Sequence, residues 1–74
     1  MERYKNLGHN SGIVSFDLGM SSIAVLFHDG HKYTYTLQSA GSGNIDYMKK
    51  LAISGKGLNS FINLHVKNKY SYKN

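Results

Sequence analysis

The tightest constraint on how this chain folds is the dipeptide Asp29-Gly30, set between two runs of strand-forming residues. A type I′ turn needs φ > 0 at both central residues, and Asp-Gly tolerates this, so the pair predicts a two-residue hairpin. Before it, Ser22–Phe27 is a β-branched and aromatic run of strand length. After it, Lys32 to Leu37 alternates, with Tyr33, Tyr35 and Leu37 on one face and Lys32, Thr34 and Thr36 on the other. A two-residue turn sets the register: Leu26 falls opposite Tyr33 and Ala24 opposite Tyr35, while Phe27, Val25 and Ile23 meet Lys32, Thr34 and Thr36. Both faces then carry apolar groups. One is available to helices of the same chain, and the Ile23/Val25/Phe27 face is a candidate for a protein partner.

Around this hairpin the remaining elements follow from local signals. Residues 1–12 read as a flexible arm charged by Arg3 and Lys5. Ile13 to Phe16 reads as a short strand closed by Asp17-Leu18-Gly19. Ser39 to Gly43 is expected to be a flexible link, followed by a helix from Ile45 to Ser54 with Asn44 as N-cap and Asp46 in its first turn. Met48, Leu51 and Ala52 share one side of that helix, and Gly55 stops it. A second helix spans about Leu58 to Lys67, with Leu58, Phe61, Ile62 and His65 on its apolar stripe. The expected fold is α+β: a three-stranded antiparallel β-meander followed by two short helices packed on one sheet face, over residues 13–70, with a basic tail at 71–74.

With 74 residues there is room for one domain. Such a domain buries only about 60% of its unfolded surface, so added stabilisation is common. The chain has no Cys, which excludes disulfides, and its four His are thin material for a structural metal. A homo-oligomer, most simply a symmetric dimer, is the expected source of extra stability. The net charge of +5 is unevenly placed: all four acids, Glu2, Asp17, Asp29 and Asp46, precede Lys49. Lys49, Lys50, Lys56, Lys67, Lys69 and Lys73 follow with no acid among them, a field that attracts polyanions. The N-terminus lacks the apolar run of a secretory signal, and Ile13 to Phe27 is interrupted by Asp17, Gly19 and serines, so a cytoplasmic protein without a membrane partner is expected.

Phe27-x-x-Gly30-x-x-Tyr33-x-Tyr35 after an apolar strand, with Ser54-Gly55-Lys56-Gly57-Leu58-Asn59-Ser60-Phe61-Ile62 later, resembles the KTSC domain, a family named for the C-terminal region of certain lysyl-tRNA synthetases. The resemblance runs from about Ile13 to Tyr70. Asn59 and Ile62 match the family's Phe-Asn-x-x-Ile, whereas Leu58 replaces the aromatic and Leu37-Gln38-Ser39 stands where Val-Pro is usual. The resemblance implies a small β-then-α domain, with RNA binding as its suggested role, and carries no defined activity with it.

Three constellations carry candidate chemistry. Tyr33 and Tyr35, at i and i+2 on one strand face, lie about 7 Å apart, a spacing suited to stacking bases; the same rings can instead floor the core. Gly55, Lys56 and Gly57 precede a helix and can expose amides and a cation to an anion, with Asn59 and Ser60 extending the site. The same segment serves equally as an interhelical turn. Lys67 and Lys69 interleave with Tyr70 and Tyr72 in a pattern suited to a phosphate backbone, or to a solvated terminus. His28 and His31 flank the hairpin turn without a third metal ligand, and His65 is expected in the core. No carboxylate pair, thiol or nucleophile elbow is present, so an enzyme is not expected, nor a cofactor. The expected ligand is a nucleic acid, RNA or single-stranded, or a small nucleotide sequestered at subunit interfaces by a homo-oligomer of phage type. A protein–protein adaptor or inhibitor is the alternative from another class.

Overall fold

The computed structural model describes residues 1–9 and 11–74, and Asn10, within the expected arm, lies outside the described residues. The fold is α+β. Five antiparallel strands stand in sequence order: β1 (Glu2–Arg3), β2 (Ile13–Leu18), β3 (Ser22–Phe27), β4 (Lys32–Thr36) and β5 (Tyr72–Lys73). The expected meander is the middle of this sheet. Between β4 and β5 come α1 (Leu37–Ala40), α2 (Ser42–Ser54), α3 (Leu58–Phe61) and a π-helical continuation of α3 over Ile62–Val66.

The hairpin forms where Asp29-Gly30 predicts it, but with a longer loop. Phe27 donates its N–H to His31 O at 3.0 Å, and Gly30 donates to Phe27 O at 3.0 Å. Only Gly30 takes a positive φ, at 89°. The connection is therefore a three-residue loop ending on a left-handed glycine, not a type I′ turn. Adding one residue slides the register by one, so Val25 pairs with Tyr33, Ile23 with Tyr35 and Leu26 with Lys32. A slip of one exchanges the faces. Ile23 and Val25, expected as an open interface, are buried in the core together with Tyr35, and Ala24 and Leu26 turn outward.

On β2 the pairing shifts between Ile13 and Ser15, a bulge that lets Ile13 and Phe16 both point inward despite being three apart. These residues meet Ile45, Met48 and Ala52 of α2, and Leu58, Ile62 and Val66 of the last helix, in one core cluster. The π winding places every fourth residue of that helix inward, and Val66 takes the place expected for His65, which is exposed.

Leu37 to Gly43 is neither strand end nor flexible link. Thr36 caps α1: its hydroxyl accepts from Ser39 N at 3.2 Å, and Ser39 Oγ accepts from Thr36 N at 2.9 Å. Gly41 alone joins α1 to α2, so α2 begins earlier than expected, and Asn44 is not its cap; its side chain donates to Ala40 O at 2.8 Å. Lys49 is spent on structure as well, with Nζ 2.7 Å from Gly19 O and 3.2 Å from Met20 O at the β2–β3 turn.

Both chain ends are ordered into the sheet. Glu2 and Arg3 pair with Phe16 and Ser15, and Tyr4 is 4% exposed, so the segment expected as an arm supplies an edge strand and a core residue. At the other edge Tyr72 and Lys73 pair with Thr34 and Tyr33, so the expected tail at 71–74 is a strand too. Among the described residues, no helix is long and apolar enough to cross a membrane.

Candidate functional site

Six of the sequence's eight candidate residues divide between two clefts, with Gly55 and Lys69 in neither. The first, of about 240 Å³, is walled by Phe27, Tyr33, Tyr35 and Tyr70, with Asn63, Lys67 and Asn68 from the last helix and its exit, and Asp29 at the hairpin tip. Tyr33 lies between two rings, edge-on to Phe27 at 5.5 Å and to Tyr70 at 5.0 Å between centroids. Lys73 Nζ sits 5.4 Å from the Tyr33 centroid, a cation–π contact across the β4–β5 pair.

The expected tandem stack on Tyr33 and Tyr35 does not hold in that form. Tyr35 is 1% exposed and reaches the cleft only by the remainder of its surface. Burial pushes its phenol up to about 12, with the neighbouring Tyr33 and Tyr70 adding to the rise. Tyr35 is thus a neutral core ring at the cleft floor. The half-buried rings that line the cleft are Phe27, Tyr33 and Tyr70.

The second cleft, of about 420 Å³, brings together Lys56, Gly57, Asn59 and Ser60 with Tyr4, Asn6, Gly8 and Ser11. Gly57 takes φ 85° and lies at the entrance to α3. The free helix-start amide expected at this glycine loop is partly used: Leu58 N donates to the Tyr4 hydroxyl at 3.3 Å. Gly55 does not face the cleft. It is the left-handed stop of α2, and its carbonyl accepts from Leu7 N at 2.8 Å. A Cβ there would lie 2.6 Å from Lys5 Cβ, so this glycine is required by the packing of the N-terminal segment. Lys69 lines neither cleft; its N–H donates to Val66 O at 2.9 Å and its side chain is exposed.

Asn63 and Asn68 were not singled out from the sequence, although Asn63 stands four residues from both Asn59 and Lys67, the spacing of one helix face. Tyr4 carried no local signal, because a tyrosine beside a two-residue strand has no period to read. His28 and His31 remain exposed at the hairpin, and His31 Nδ1 lies 3.4 Å from Asn74 O. Among the described residues no group of three His, Cys, Asp or Glu is placed to hold a metal ion.

The aromatic cleft offers the surfaces of three half-buried rings, one lysine, one carboxylate and the amides of Asn63 and Asn68, a set that suits a planar polar group. The loop cleft offers Lys56, two asparagines and two serines with no carboxylate in its lining. No family model, curated protein or solved structure matches the chain.

Proposed function

We propose that the protein is a non-enzymatic binding module for a phosphate-bearing ligand, with single-stranded nucleic acid, RNA first, as that ligand. The observation that carries this reading is the aromatic cleft, where Phe27, Tyr33 and Tyr70 stand with Lys67 in one wall. A planar base gains about 1–3 kcal/mol from stacking on an aromatic side chain. Asn63, Asn68 and Asp29 supply donors and acceptors suited to base edges, and Lys67 supplies the charge for a neighbouring phosphate. Asp29 is partly committed, since its Oδ1 accepts from His31 N at 3.0 Å, and its own charge favours contact with a base amino group over a phosphate. Lys67 in the cleft and Lys73 over the Tyr33 ring supply positive charge that attracts a polyanion. Under this reading the KTSC resemblance rests on the sequence motifs alone, Phe27-x-x-Gly30-x-x-Tyr33-x-Tyr35 and the later Asn59 and Ile62.

A second reading is favoured by the cleft's size. A volume of about 240 Å³ matches one base, so a mononucleotide or dinucleotide sequestered by a homo-oligomer uses the same chemistry. The adaptor alternative loses its surface, because Ile23 and Val25 are core residues. Titration with short oligonucleotides and a mononucleotide panel at two salt concentrations tests the proposal. Binding of oligonucleotides that weakens steeply with salt supports it. Binding restricted to mononucleotides or dinucleotides with little salt effect moves the ligand to the second reading, and no binding at low salt overturns both.

A further inference from the structure

We infer that the two clefts are subsites of one trough that holds a single-stranded nucleic acid across at least two nucleotides, with a base in the aromatic cleft and an adjacent phosphate in the loop cleft. The inference rests on the nucleic-acid reading of the aromatic cleft and adds a second site to it.

Two independent connections join the clefts. On the sheet side, His28 N donates to Gly12 O at 2.8 Å. Phe27 and Asp29, which flank His28, line the aromatic cleft, and Ser11, which precedes Gly12, lines the loop cleft. On the helix side, Asn59 lines the loop cleft while Asn63 and Lys67 line the aromatic one, each four residues beyond the last. Four residues advance about 6 Å along an α-helix, and somewhat less through the wider π winding at Ile62–Val66, a span of one to two nucleotides, whose stacked rise is about 3.4 Å. The trough therefore runs between the last helix and the end of the sheet where the hairpin loop meets the start of β2.

The division of roles follows from the linings. Among the described residues, aromatic surface in the loop cleft comes only from Tyr4, which is 4% exposed and whose hydroxyl already accepts from Leu58 N. What remains there is Lys56 with the amides of Asn6 and Asn59 and the hydroxyls of Ser11 and Ser60, a set that suits phosphate oxygens. The site rests on these side chains and not on the short helix's end, whose Leu58 amide is taken. Its loop wall is held in shape: Ser11 N donates to Asn6 Oδ1 at 3.2 Å, and Ile13 N donates to Ser11 Oγ at 3.1 Å.

A length series tests the trough: oligonucleotides of one sequence, from one to six nucleotides, titrated against wild type, Lys56→Ala, Ser60→Asp and Lys67→Ala, each checked by circular dichroism. Affinity is expected to rise steeply between one and three nucleotides. Lys56→Ala should weaken the trinucleotide about 5–10-fold and leave the mononucleotide unchanged, and it should lower the salt slope by about 0.7 for the phosphate it no longer neutralises. Ser60→Asp, which sets a negative charge in the same cleft, should repeat the length-selective loss, whereas Lys67→Ala should weaken every length. Equal affinity for one and three nucleotides, or a Lys56→Ala variant unchanged at all lengths, overturns the trough and leaves the aromatic cleft as the binding site. Failure of every length to bind overturns the functional proposal itself.

Discussion

Tyr4 and Tyr70 stand beside the two edge strands of the sheet, one at each end of the chain, and the same side chain does different work at each. Tyr4 follows β1 and is 4% exposed, with its hydroxyl accepting the Leu58 amide. Tyr70 precedes β5, is half-buried, and turns its ring edge-on to Tyr33 in the wall of the aromatic cleft. Both flanking strands are two residues long, too short to hold their place by ladder hydrogen bonds alone. At the N-terminal edge a core tyrosine fixes the strand, leaving a structural role. At the C-terminal edge the tyrosine is only partly covered, and its remaining surface lines the aromatic cleft. Burial, not composition, separates the two.

The sharpest way to break this comparison is to remove each ring. Tyr4→Ala should cost about 3–5 kcal/mol, the range for truncating a buried aromatic, which approaches the whole stability of a small domain. Urea unfolding followed by circular dichroism should find the variant largely unfolded without denaturant. A loss below about 1 kcal/mol would mean that the N-terminal segment is not part of the core.

Gly55 anchors the N-terminal side through its carbonyl and its close contact with Lys5, and it offers the next largest effect. Gly55→Ala combines a left-handed φ of 81° with a Cβ only 2.6 Å from Lys5 Cβ. Gly30, near the C-terminal edge, has φ 89° but nothing within 4 Å of its added Cβ. Gly30→Ala should therefore cost about 1–2 kcal/mol, the left-handed penalty alone, and Gly55→Ala distinctly more. Equal costs in paired urea titrations would show that Lys5 moves aside and that the docking of the N-terminal segment is loose.

At the C-terminal edge the larger effect should fall on binding. Tyr70→Ala is expected to leave a folded protein and to weaken an oligonucleotide about tenfold, equivalent to about 1.4 kcal/mol, within the range for one stacked base. Fluorescence titration measures the affinity and thermal melting the fold. A variant that unfolds, or that binds unchanged, would place Tyr70 on the same footing as Tyr4.

Much of the sheet and of α2 was legible because periodicity over five or more residues reports a face. Met48 and Ala52 are buried as their spacing requires, and Leu51 is partly buried against the same core. The hairpin was legible too, but Asp-Gly serves both a two-residue turn and a three-residue loop, and nothing local chooses between them. That single residue exchanged the sheet's faces, turning Ile23 and Val25 from interface to core. The edge strands were hidden because two residues have no period, and their place is set by Tyr4 and the Tyr33–Tyr70 contact, both distant in sequence. The π winding at Ile62–Val66 likewise has no sequence mark, so His65 and Val66 exchanged roles. For the site, the glycine–lysine segment and Lys67 were visible as residue types. Their separation into two clefts depended on the helix and loop that lie between them.

The smallest expected effect probes the ring beneath the cleft. Tyr35 has a folded pKa of about 12 against an ordinary 10.0, raised by burial first and then by its neighbours Tyr33 and Tyr70. Raising the pKa in the fold means that the folded chain holds its proton where the unfolded chain has lost it. The neutral phenol's contribution is therefore complete below about pH 10 and is lost as pH climbs through about 12. Tyr35→Phe removes that titration while keeping the ring. Urea midpoints of wild type and Tyr35→Phe, compared from pH 8 to 12, should run parallel below pH 10, and above it wild type should fall relative to Tyr35→Phe, as wild type alone meets the cost of ionising a core phenol. Curves that stay parallel through pH 12 would show that Tyr35 ionises as easily folded as unfolded. That would put it in solvent, and the aromatic cleft would then have an open floor, with Tyr33 and Tyr35 both free to stack and the contrast between the two edges of the sheet reduced to Tyr4 alone.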